Sequence, residues 1–107
     1  LEDGVERYPD LDVIFAVLAG GGPIQLERLH SRGGDLERAS HPRIHLDTAS
    51  YGTRALKLCV EAVGATQLVY GSDRPVVDPA PTLEALAELG QDVLDTVCSE
   101  NPSRLFA

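Results

Sequence analysis

Basic residues are scarce in this chain: 9 Lys and Arg stand against 17 Asp and Glu in 107 residues, a formal net charge of -8. A phosphate backbone is gripped by a positive surface, so the deficit argues against nucleic acid as a partner. It argues equally against attraction to an anionic membrane surface, and leaves the acidity to serve solubility. Cysteines are few as well. Cys59 and Cys98 both lie in apolar, helix-like stretches, and a secreted disulfide framework of this length would carry more. They read as buried thiols in a reducing, cytoplasmic setting. No apolar run is long enough to span a bilayer, the stretch 13–19 included. Leu1-Glu2-Asp3 is acidic where a secretory signal is basic.

The catalytic signatures that are missing narrow the field further. No P-loop, dinucleotide fingerprint, His-x-His pair or His-Glu-x-x-His helix occurs. Ser72-Asp73 is not a G-x-S-x-G nucleophile elbow. What is present is a soluble globular composition, 43% hydrophobic and 24% charged, fitting one small domain or part of one.

Periodicity gives the order of elements. Residues 11–18, 43–48 and 67–71 read as strands, each short and closed by Gly, Ser, Pro or Asp. Between them, residues 23–32 open on Pro23 and stop at Gly33-Gly34. Residues 53–63 carry Leu56, Cys59, Val60 and Val63 on one face, with Thr53 as cap and Gly64 as stop. After a proline-rich loop, Thr82 caps a helix at 83–89. Further helices follow at 92–100 and 103–106, the last opened by Asn101-Pro102. Strand–helix alternation of this kind predicts an α/β fold with parallel strands and right-handed crossovers. The first strand is apolar on both alternating sets: Val13, Phe15 and Val17 on one, Ile14, Ala16 and Leu18 on the other. Such a strand is covered on both faces, whereas two crossover helices cover one. The second face then needs the C-terminal helices, a second chain, or more strands, and a closed barrel supplies the last.

Asp73 is the leading candidate for chemistry. It follows the third strand by two residues, at the strand end where parallel α/β folds place their sites. A carboxylate there ligates a divalent metal or accepts a proton from metal-bound water; it can equally cap the turn or pair with Arg74. The Gly20-Gly21-Gly22-Pro23 turn either cradles an anion on backbone N–H groups or simply joins strand to helix tightly. His30 and His41 read as solvated. His45 shares a strand face with Arg43 and Asp47, and reads as a hydrogen-bonded structural histidine or as the wall of a polar cleft. Arg28, beside Glu27, forks onto a substrate carboxylate or forms a solvated helix face.

Four segments, in order, resemble one family. They are Phe15-Ala-Val-Leu-Ala-Gly-Gly-Gly-Pro23 with Glu27-Arg28-Leu29; His45-Leu-Asp-Thr48; Val63-Gly64 leading into Leu68-Val-Tyr-Gly-Ser-Asp-Arg-Pro75; and Glu100-Asn-Pro-Ser-Arg-Leu-Phe106. Together they resemble the C-terminal portion of amidohydrolase-related proteins of the aminocarboxymuconate-semialdehyde decarboxylase type. The resemblance implies that residues 1–107 are a partial domain, the last three βα units of a metal-dependent TIM (β/α)8 barrel. It implies Asp73 as a metal-site and catalytic residue, zinc as the divalent metal, and Arg28 as a contact to a small carboxylate substrate, in some relatives across a homodimer interface. It implies hydrolysis or non-oxidative decarboxylation. The family's His-x-His pair and its histidine on the fifth strand have no counterpart here and would lie upstream. Many relatives also carry a histidine just before the glycine turn, where this chain has Val17-Leu18-Ala19. A truncated, non-catalytic relative serving as a binding or assembly module is the alternative.

Overall fold

Each of the three apolar runs becomes a strand, but a shorter one than periodicity predicts, the first giving up Val17 and Leu18 to a turn. The computed structural model describes residues 4–107, so the acidic start at Leu1-Glu2-Asp3 lies outside the described residues. The elements are α1 (Gly4–Arg7), β1 (Val13–Phe15), the single turn α2 (Val17–Gly21), α3 (Leu26–Ser31), α4 (Leu36–Ala39), β2 (Ile44–Asp47), α5 (Thr53–Val63), β3 (Leu68–Val69), α6 (Ala80–Glu88), α7 (Gln91–Asp95) and α8 (Asn101–Leu105). A 3-10 turn, Gly22–Gln25, leads into α3, and a π turn, Thr96–Glu100, joins α7 to α8. The strands form one parallel sheet in the order β1-β2-β3. That sequential order is the one produced by successive crossovers of one hand.

Register sorts the two faces. Phe15 pairs with Leu46, and Leu46 with Leu68. These residues pack into the core with Leu18, Leu56, Cys59, Ala85, Leu86 and Val97, drawn from α2, α5, α6 and the π turn. The opposite face carries Ile14 paired with His45, and Asp47 paired with Val69. None of these four belongs to the core cluster, and Ile14 is 39% exposed.

Several local expectations change. Leu18 is not a strand residue: Val17, Leu18, Ala19, Gly20 and Gly21 all have positive φ, so α2 winds left-handed. This reverses the chain and delivers Leu18 to the same core as Phe15, which strict alternation would have put on the opposite face. Thr53 does not cap α5. Gly52 holds that position, and the Thr53 hydroxyl donates to Glu88 Oε2 at 2.7 Å. Thr82 sits within α6 and donates to the Tyr51 carbonyl at 3.1 Å. Asn101 continues a right-handed helical backbone instead of capping it; its buried amide donates to the Ala65 and Leu68 carbonyls at 2.8 and 2.7 Å. The Val97 carbonyl accepts the Tyr70 N–H at 3.2 Å, so the C-terminal elements extend the bonding beyond β3.

Candidate functional site

Parallel strands bring their C-terminal ends to one edge, and three loops meet there: α2 after β1, residues 48–52 after β2, and residues 70–75 after β3. Asp47, the last residue of β2, ties them together. Its Oδ1 accepts the Ala49 N–H at 2.9 Å and, across the sheet, the Val17 N–H at 3.0 Å. Gly71 lies against the same carboxylate. A Cβ there would meet Asp47 Cγ at 2.7 Å and Oδ1 at 2.8 Å. Asp47 therefore fixes the entry to the left-handed turn and requires glycine opposite. The sequence placed Asp47 only on a strand face beside His45. The available signal was an acid ending a strand, with Thr48 and Ser50 close behind it in a segment suited to a backbone-binding turn.

Asp73 stands on the loop after β3. Its φ of 50° is left-handed, a conformation that Asp enters more readily than most residues but still at a cost. Its carbonyl accepts the Val76 and Val77 N–H groups at 2.9 and 3.2 Å, which locks the turn. The Arg74–Pro75 peptide is cis. The side chain is exposed, and Oδ2 accepts the Ser50 hydroxyl at 3.0 Å. Ser50 also has positive φ, 67°. Two strained residues thus meet through one hydrogen bond that engages one oxygen of an exposed carboxylate and leaves the other to act. That oxygen can ligate a cation or accept a proton.

The other candidates disperse. Arg28, Glu27 and His30 are exposed on α3, the Arg28 carbonyl holding the Ser31 hydroxyl. No hydrogen bond or ion pair joins Arg28 to Asp73. The triglycine is a strand-to-helix turn, with Gly20 and Gly21 at φ 65° and 84°. His41 is not a solvated loop histidine: its Nδ1 accepts the Arg43 N–H at 3.2 Å, and its carbonyl holds the Gln67 amide. His45 is not hydrogen-bonded. It is 1% exposed, neither ring nitrogen has a partner, and it faces a cavity at the other end of the strands. Burial pushes its pKa below the usual imidazole value; Asp12 opposes this and Arg104 adds to it. Cys59 is buried and Cys98 half-buried, both unpaired with each other, and burial raises both thiols.

Zinc sites use three or four protein ligands. Among the described residues no group of three or more His, Cys, Asp or Glu is placed to hold a metal ion. Asp73 alone does not make a metal site. No helix among the described residues is long and apolar enough to cross a membrane.

Two solved structures are similar over nearly the whole chain. 5-Carboxyvanillate decarboxylase LigW from Sphingomonas paucimobilis superposes with a TM-score of 0.78 at 21% identity, covering 95% of this chain and 35% of its own. IDCase from Metarhizium anisopliae, in apo form, gives 0.74 at 21% identity, covering 96% and 35%. This chain thus spans about a third of the length of either. No curated protein matches the sequence at a significant level. The likeness establishes an α/β fold with parallel strands, like that of the TIM-barrel amidohydrolase decarboxylases. The amidohydrolase family model matches residues 1–107 throughout, and the chain belongs to the amidohydrolase family.

Proposed function

We propose that residues 1–107 form the last three βα units of a metal-dependent (β/α)8 barrel that hydrolyses or decarboxylates a small carboxylate substrate. In this reading β1, β2 and β3 are the sixth to eighth strands. Asp73 contributes one ligand to a divalent metal, zinc by preference, and Arg28 reaches the substrate carboxylate from the same chain or a dimer partner. The observation that carries the reading is Asp73 itself: an exposed carboxylate in a strained turn, at the C-terminal end of the last strand of a sequentially ordered parallel sheet. The exposure of Ile14 on the edge strand β1 and the span of one third of either structural relative support the presence of further strands in the working protein.

The test is metal analysis of the protein with its natural upstream sequence, paired with an assay of carbon dioxide release from aromatic carboxylates. Wild type should hold stoichiometric metal, and Asp73→Asn should lower both metal content and turnover by at least about tenfold with unchanged circular dichroism. Retention of metal and turnover by Asp73→Asn would remove Asp73 from the site.

One observation favours a second reading, a non-catalytic assembly module. Where many relatives carry a histidine this chain has Val17-Leu18-Ala19, none of which can exchange a proton with a substrate. That reading expects a metal-free stable dimer or hetero-complex with no turnover. A metal-free, inactive monomer in light scattering would sink both readings.

A further inference from the structure

The polar groups at the opposite end of the sheet remain unassigned. Asp12 precedes β1, Arg43 precedes β2 and Gln67 precedes β3, so all three lie at the N-terminal edge, away from Asp73. With His45, Thr66 and Arg104 they line a cavity of about 510 Å³, within the roughly 300–1,000 Å³ typical of small-molecule sites. Four polar atoms of three residues there are buried without a partner: both ring nitrogens of His45, Arg43 Nη1 and Gln67 Oε1. His45 is 1% and Gln67 6% exposed. Buried polar atoms in native proteins are almost always satisfied, so this cluster calls for something to satisfy it.

The chemistry of the vacant positions specifies the occupant. Gln67 has already spent its Nε2 on the His41 and Ile44 carbonyls at 3.0 and 2.9 Å. Its Oε1 therefore offers only an acceptor. A buried, neutral imidazole offers one N–H and one lone pair. Arg43 Nη1 offers only donors. The ligand must therefore accept, toward Arg43 and one His45 nitrogen, and donate at least once, toward Gln67 Oε1 or the other nitrogen. Arg43 and Arg104 carry positive charge and Asp12 negative charge; two positives and one negative leave +1, which matches a monoanion.

We propose that the cavity bounded by His45, Arg43, Gln67, Asp12 and Arg104 binds a small carboxylate bearing an adjacent hydroxyl. Its carboxylate accepts from Arg43 and His45, and its hydroxyl donates to Gln67 Oε1 or to the free His45 lone pair. The site is separate from Asp73, and under the barrel reading it requires that the further strands leave this cavity open.

The probe is glycolate, titrated into the protein with its natural upstream sequence while the histidine ring resonances are followed. Saturable shifts of the His45 ring are expected, weakened about tenfold by Arg43→Gln through loss of a charge-assisted hydrogen bond. Arg104→Gln, at an exposed position, should weaken binding as well if Arg43→Gln fails to fold. Asp73→Asn should leave the His45 response unchanged, which separates this site from the strand-end loops. Acetate lacks the hydroxyl and should bind more weakly. The proposal is overturned if acetate binds as well as glycolate, if folded Arg43→Gln binds like wild type, or if His45 does not respond. A crystal structure in which water alone or upstream side chains fill the cavity would overturn it equally.

Discussion

At the residue scale, the strand-end edge depends on a carboxylate and a missing methyl group. Asp47 satisfies two backbone N–H groups from different loops, and Gly71 gives it room. Gly71→Ala puts Cβ 2.7 Å from Asp47 Cγ, so either the carboxylate leaves its donors or the backbone shifts. A loss of about 1–3 kcal/mol is expected from overpacking of this kind, read as a lower urea midpoint. Asp47→Ala at the same edge leaves the Val17 and Ala49 N–H groups without their acceptor and should cost about 1–2 kcal/mol. A Gly71→Ala variant as stable as wild type would show that this contact does not constrain the edge. The cysteines give a prediction of another kind. Burial raises both thiols, which lowers the reactive thiolate fraction. Cys59 should be alkylated by iodoacetamide only on unfolding, and labelling of the native protein at the rate of a free thiol would contradict its placement.

At the element scale, legibility divides along the source of each signal. The span of helix α5 was readable, though not its cap, because its apolar stripe and the Gly64 stop are both local. The parallel strands were readable as runs but not as lengths. Periodicity carried the first strand through Leu18, whereas the chain enters a left-handed turn at Val17 that is held by Asp47, thirty residues away. Thr53, Thr82 and Asn101 looked like caps because Ser, Thr and Asn are cap residues. Each makes a long-range bond instead, to Glu88, Tyr51 and the Ala65–Leu68 carbonyls. The position of Asp73 beyond the third strand was legible, while its link to Ser50 depended on tertiary structure. The left-handed turn supplies a test at this scale. Ala19 has φ 52°, a conformation costing an L-residue about 1–2 kcal/mol that glycine avoids, against glycine's greater entropy loss of about 0.5–1 kcal/mol. Ala19→Gly should therefore raise stability by about half a kcal/mol, and a fall in melting temperature would mean the turn is not left-handed there. Asn101→Ala should act in the opposite direction. It removes two bonds, one buried and one partly buried, that clamp α8 to β3 and to the turn before it, at a cost of about 2 kcal/mol.

At the scale of the whole molecule, the sheet has one face committed to the core and one that bears polar groups: His45 and Asp47 beside Ile14 and Val69. The burial of His45 links this face to the pH dependence of folding. In the native state burial lowers the His45 pKa, with Asp12 opposing and Arg104 reinforcing the shift, while the unfolded chain titrates near the ordinary imidazole value of 6.5. Below that pH the unfolded state binds a proton that the native state declines, so stability increases with pH through this window. The contribution is therefore complete above the unfolded value and is lost as pH falls below it, down to the lowered native value. Urea midpoints measured from pH 7.5 to pH 5 should decline in wild type, and the decline should be shallower in His45→Gln, which cannot take up the proton. The carboxylates contribute equally to both proteins, so the difference between the two profiles isolates His45. Identical slopes would mean that the imidazole is hydrated or paired in solution. A decline that glycolate suppresses in wild type but not in Arg43→Gln would join this linkage to the cavity at the same edge of the sheet.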